Sequence, residues 1–182
     1  MTFARLIARH EHQTASRPKP PQTHEYFGLA VHHVLFYLNY KGDPLQLSRK
    51  DIQAELTNTL NIKYEKRLAN SQLTRRITLT WHAITQYVYE NSTYFTTEVG
   101  FLGNRKIDLI LEHPDGTIEL VEIKTYKKKT KTYCKRTATK QLADARKFIL
   151  EHYPDTKLKW TKILIQNDLS KPFKCQILRA PS

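Results

Sequence analysis

Asp108, Glu122 and Lys124 are the residues whose types and spacing best suit chemistry. They lie in Lys106-Ile107-Asp108-Leu109-Ile110-Leu111 and Ile118-Glu119-Leu120-Val121-Glu122-Ile123-Lys124, joined by His113-Pro114-Asp115-Gly116. Thirteen residues separate Asp108 from Glu122, and Lys124 comes two after Glu122. In a strand, residues two apart point to the same face, ~7 Å apart along the chain, so Glu122 and Lys124 project together. Ile118 and Leu120 share that face nearer the strand start, which puts the charged pair where the strand leaves the core. The tight turn makes the two strands antiparallel neighbours and lets Asp108 approach Glu122 across the ladder. Two carboxylates gather a hard cation such as Mg²⁺, which keeps several waters and contacts substrate phosphate. Such an ion offsets charge on a transferring phosphoryl group and lowers the pKa of a bound water. Lys124 would orient the attacking water or stabilise the pentacoordinate phosphate. The same residue types also occur on plain surface hairpins, as an ion pair. The flanks Ile107, Leu109, Ile110, Leu111, Leu120, Val121 and Ile123 weigh against that, because charges set in strands apolar on both faces are costly unless paired or metal-bound.

The elements that position this group follow from periodicity. Residues 1–22 are basic and hold Pro18, Pro20 and Pro21, the composition of a linker, so they are expected to be a flexible arm. A single domain is expected over 23–182. Phe27, Ala30, Val31, Val34, Leu35 and Leu38 recur at helical spacing from Thr23 to Tyr40. Ser48 and Asp51 suit the start of a second helix, and residues 45–70 suit a helical insertion or cap. Leu73, Ile77, Trp81, Ile84 and Val88 step along one face of a third helix over Ser71–Glu90. Strands are predicted at Tyr94–Val99, Lys106–Glu112 and Thr117–Thr125, then a helix at Ala138–His152, then strands at Leu158–Gln166 and Phe173–Leu178. This order suggests an α/β fold with a mixed central sheet and helices on its faces.

With these elements in place, Ile107-Asp108 followed by Val121-Glu122-Ile123-Lys124 resembles the signature of PD-(D/E)XK nucleases, without the proline of the name. Gly28-Leu29-Ala30-Val31-His32 resembles the G-x-x-x-H motif of the RecB-type branch, which includes recombination exonucleases. Gln141 stands where that branch has Q-x-x-x-Y, but Ala145 holds the tyrosine position. The resemblance covers roughly residues 23–166. It implies a restriction-endonuclease-like fold and a metal-dependent nuclease acting on DNA ends or single strands, with Mg²⁺ or Mn²⁺. It implies metal held by His32, Asp108, Glu122 and the Ile123 carbonyl, with Lys124 positioning water and Gln141 supporting substrate or Lys124. His33, about 100° round the helix, cannot face the site together with His32. Glu25, seven before His32, is an auxiliary acid on the same face. Glu98, ten before Asp108, is another acid near the site, although its type and place favour a solvated strand-end residue. The superfamily also contains junction resolvases and restriction enzymes, so a structure- or site-selective endonuclease is an alternative, and a non-catalytic nucleic-acid-binding protein on a nuclease scaffold is another.

Charge agrees with a polyanionic partner. The chain has 30 Lys+Arg against 17 Asp+Glu in 182 residues, a formal net charge of +13. After Lys124 come Tyr126, Lys127, Lys128, Lys129, Lys131, Tyr133, Lys135 and Arg136, cations for phosphates and rings for unpaired bases in one basic loop. Cys134 and Cys175 are too few for a four-thiolate zinc site or an iron–sulfur cluster, and are expected as reduced thiols. No apolar run approaches the ~20 residues of a membrane span, and the N-terminus is too poor in apolar residues for a secretory signal. A cytoplasmic or other nucleic-acid-containing compartment is expected.

Overall fold

The computed structural model describes residues 27, 28, 30–32, 35, 71–103, 105–168 and 170–180. The expectations for residues 1–22 and 45–70, for the second helix, and for Glu25 and His33 lie outside the described residues. Phe27, Gly28, Ala30, Val31, His32 and Leu35 are helical. The elements after them are α1 (Ser71–Asn91), β1 (Tyr94–Leu102), β2 (Arg105–Glu112), β3 (Ile118–Tyr126), α2 (Lys131–His152), β4 (Leu158–Gln166) and β5 (Cys175–Arg179). The strands form one sheet in the order β1-β2-β3-β4-β5. All neighbours are antiparallel except β3 and β4, which run parallel with α2 as their crossover. The fold is thus α/β with a mixed five-stranded sheet flanked by helices, an architecture consistent with the expected restriction-endonuclease-like fold. Among the described residues, no helix is long and apolar enough to cross a membrane.

The sheet separates two apolar clusters. On one face Phe27, Ala30, Val31 and Leu35 of the upstream helix and Ile77, Trp81, Ile84 and Val88 of α1 pack on Leu109, Leu111, Val121 and Ile123. On the other face Leu142, Ala145 and Ile149 of α2 pack on Ile110, Ile118 and Leu120. Odd-numbered residues of β3 thus face α1, and even-numbered ones, including Glu122 and Lys124, belong to the α2 face. Gly28 sits where the upstream helix crosses β3: a Cβ there would lie 3.2 Å from Thr125 Oγ1. Arg76 of α1 is buried, and its guanidinium donates to the carbonyls of Gln166, Asp168, Lys171 and Pro172, tying the β4–β5 connection to the helix.

Two expectations need correction here. α2 begins at Lys131, not Ala138. Its buried residues are Ala138, Leu142, Ala145 and Ile149, so the earlier turns have no apolar periodicity to betray a helix. The basic run is therefore a short 3₁₀ turn at Lys128–Thr130 and the opening of a helix, not a loop. Tyr126, expected to offer its ring to bases, is buried at 3% exposure; the exposed ring of this segment is Tyr133 at 62%.

Candidate metal centre and phosphate site

β1 and β2 change character at Glu98. In β1, Phe95 packs on the α1-side cluster, whereas beyond Glu98 the equally odd-numbered Val99 and Phe101 pack on the α2-side cluster. In β2, Leu109 and Leu111 belong to the first cluster and Ile107 to the second. Strict alternation would keep odd residues together. The break coincides with Glu98, which has φ 54°, in the left-handed region that a non-glycine residue enters at a cost. The antiparallel register places it against Asp108, since Thr97 pairs with Leu109 and Val99 with Ile107. The β2–β3 pairing ends at Leu109↔Val121. One residue further on, the Ile123 N–H donates to Asp108 Oδ2 at 2.7 Å in place of a backbone partner on β2.

Into this opening the upstream helix delivers His32. Its Nδ1 lies 2.8 Å from Glu98 Oε1 and 3.5 Å from Asp108 Oδ1. One ligand atom from each of His32, Glu98 and Asp108 falls within 4.8 Å of the others. Glu98 is thus a site residue in mid-strand, correcting the expectation of a solvated strand end. Sequence reasoning underrated it because β1 runs three residues past the predicted end at Val99, to Leu102. Its spacing of ten from Asp108, across a short hairpin, was the available signal. Lys106 Nζ stands 3.9 Å from Glu98 Oε2 at the exposed rim.

Glu122, expected as a ligand, is not among the three residues whose ligand atoms converge; with Lys124 it stands next to them on β3. Glu122 is fully buried; Lys124 Nζ donates to its Oε1, and Oε2 has no hydrogen-bond partner among the described residues. Burial, then the charge of Asp108, push the Glu122 carboxyl up to about 8 against the pull of Lys124. Asp108 is likewise raised, by burial first, although His32, Lys124 and the Ile123 N–H favour its charged form. Burial draws the His32 pKa down, but the Glu98 hydrogen bond and the charges of Asp108 and Glu98 outweigh it and leave a net rise. Burial is the first cause of both carboxylate shifts, and the mutual repulsion of Asp108 and Glu122 adds to it at Glu122.

Glu119, three residues earlier on the same strand, supplies the contrast. It is equally buried but accepts hydrogen bonds from Tyr87 Oη at 2.6 Å and Thr161 Oγ1, pairs with His113 Nε2 at 2.7 Å, and has Lys159 Nζ at 3.7 Å. Burial alone would raise its pKa, yet these partners hold it below the usual carboxylate value. Glu119 is complete within the protein and Glu122 is not.

The other expected site residues are placed as follows. Gln141 lies half-buried on α2, between Ala138 and Ala145 on the sheet-facing side, and among the described residues it makes no hydrogen bond to Lys124. Ile123 is engaged through its N–H; a ligand role for its carbonyl stays an expectation. Lys127, Lys128, Lys129, Lys135 and Arg136 are exposed and Lys131 is half-buried, its ammonium 5.7 Å from the Tyr126 ring centroid. Cys134 and Cys175 are free thiols. In comparisons with known proteins, no family model matches the chain, and no curated protein matches it at a significant level.

Proposed function

We propose that this protein is a metal-dependent nuclease that hydrolyses phosphodiester bonds in DNA, acting at ends or on single strands. The observation that carries the reading is the convergence of His32, Glu98 and Asp108, with an unpartnered buried oxygen of Glu122 beside Lys124. The donor set fits a divalent cation: carboxylate oxygens suit Mg²⁺ and Mn²⁺, and an imidazole suits Mn²⁺ better than Mg²⁺. His32, Glu98, Asp108 and Glu122 would hold it. When bound, such an ion neutralises charge on the phosphate and makes water more acidic.

The chain's own residues supply the rest. Asp108 is held by the Ile123 N–H, so one oxygen is fixed and the other points toward His32. Glu98 orients the His32 ring through Nδ1. Lys124, at 22% side-chain exposure, is anchored on Glu122 yet borders solvent. Its ammonium is placed to hold a water or the charge developing on a phosphate oxygen. The basic turn and Tyr133 next to it suit backbone phosphates and an unpaired base.

The test is incubation with end-labelled single-stranded, duplex and circular DNA, with Mg²⁺, Mn²⁺ or EDTA. Metal-dependent cleavage with linear DNA preferred is expected. Circular DNA cut as fast as linear would remove the end-dependent reading, and no cleavage of any substrate with either metal would remove the nuclease reading.

A further inference from the structure

The groove between α2 and β4 carries cations that the site above does not use. Lys162 on β4 is the register partner of Glu122 on β3. Its Nζ donates to Thr139 Oγ1 of α2 at 3.0 Å and lies 5.8 Å from the Trp160 ring centroid. Burial and the nearby Lys135 both lower the Lys162 pKa. Among the described residues, neither ammonium has a carboxylate within ion-pair distance. The one acid of α2 between Lys135 and Arg146 is Asp144, which is occupied by Arg105 of β2 at 2.6 Å. Further along, Arg146 and Trp160 border a cavity of about 300 Å³ that Lys159 and Arg179 also line; its one acid, Glu119, is paired with His113 at 2.7 Å and Lys159 at 3.7 Å. Two ammonium groups set together without an acid repel each other, and an anion between them turns the repulsion into attraction. Lys135 and Arg146 are eleven residues apart on α2, about 16 Å along its axis, enough to span several phosphates of a strand.

We propose that the α2–β4 groove is a second nucleic-acid contact, in which Lys135, Lys162 and Arg146 take backbone phosphates of a DNA strand running away from the site at Glu122, with Thr139, which donates to the Lys135 carbonyl, holding the Lys162 ammonium in place. The direction of the strand rests on the nuclease reading; the contact itself does not require cleavage. A free phosphate anion is the other source of the same chemistry, and the experiment separates the two.

Binding of a labelled single-stranded DNA is followed by anisotropy against salt, with full-length Lys124→Ala protein in EDTA so that no strand is cut. Lys135→Gln/Lys162→Gln on this background is expected to flatten the slope of log affinity against log salt by about 1.4, about 0.7 per lost contact. Lys162→Arg should keep the parent slope. Lys147→Gln, which loses one charge as Lys135→Gln alone does but at a position paired with Glu151 at 3.8 Å, should keep it too. Lys135→Gln alone, at an exposed position, should give half the change and serves if the double variant does not fold. An unchanged slope in Lys135→Gln/Lys162→Gln overturns the proposal. So does competition by inorganic phosphate, beyond that of chloride at equal ionic strength, that the double variant loses; the groove would then hold a free anion. A changed slope with no cleavage by the wild-type protein would overturn the nuclease reading and leave the groove standing.

Discussion

Buried carboxylates in mid-sheet need an account, and the two glutamates of β3 give opposite ones. Glu119 is saturated by Tyr87, Thr161, His113 and Lys159, whereas Glu122 keeps one oxygen bare beside Asp108. Part of this was legible from residue types: Asp108, Glu122 and Lys124 lie on the two strands that period and turn predicted, and His32, singled out by a resemblance, lies 3.5 Å from Asp108. Glu98 was not legible in full, because a left-handed residue inside a strand breaks the alternation that pattern reading depends on. Its strain is testable. Glu98→Gly and Glu98→Ala both delete the carboxylate, but only glycine takes φ 54° without a Cβ penalty. Glu98→Gly is therefore expected to be the more stable by about 1 kcal/mol in chemical denaturation. Equal stability of the two would show that the backbone there relaxes freely.

The contact between the upstream helix and β3 sets where His32 sits, and it depends on Gly28. A methyl group at 3.2 Å from Thr125 Oγ1 would force a shift of a few tenths of an ångström. Gly28→Ala gains about 1 kcal/mol of helix propensity, which offsets much of the clash. Stability is thus expected to change little, while the displaced helix raises the Mn²⁺ needed for half-maximal cleavage. Adding Thr125→Ala removes the clashing oxygen and should restore the wild-type metal requirement. A persisting defect in the double variant would mean that Gly28 acts otherwise than by close approach. The strands were readable because apolar alternation and a Pro-Asp-Gly turn mark them. The first turns of α2 were not, since their inward residues Lys131, Cys134 and Thr137 are only half-buried and are not the apolar types that mark a helical period.

Across the whole molecule, the cations of the described residues are deployed unevenly. The exposed lysines of the turn before α2 and the cations of the α2–β4 groove lie on the side of the sheet that carries Glu122 and Lys124. On the opposite face the Glu119 network joins α1, β3 and β4. Because the folded pKa of Glu119 lies below its unfolded value, its ionised form is the one that binds in the fold. Its contribution is complete above the unfolded value near 4.3 and is lost as pH falls through the lower folded value. Denaturation midpoints of the wild type should therefore drop between about pH 5 and about pH 3, and drop less in Glu119→Gln. Equal acid sensitivity of the two proteins would place the acid response elsewhere. Net charge was legible at once, but its division between a turn and a groove required knowing that β4 lies beside β3, a parallel pairing that residue spacing does not encode.

The central claim, that a cation held by His32, Glu98, Asp108 and Glu122 works with Lys124 on a phosphodiester, is tested most directly by one paired titration. Mn²⁺ binding by calorimetry and cleavage of labelled single-stranded DNA would be measured for wild type, His32→Ala and Lys124→Ala. The account predicts that His32→Ala binds Mn²⁺ more weakly and needs more of it to cleave, because an imidazole ligand is gone. Lys124→Ala should bind Mn²⁺ and DNA but cleave at least about a hundredfold more slowly, the scale of losing one group that stabilises developing charge. Cleavage by Lys124→Ala at the wild-type rate, or Mn²⁺ affinity unchanged by loss of His32, would contradict it.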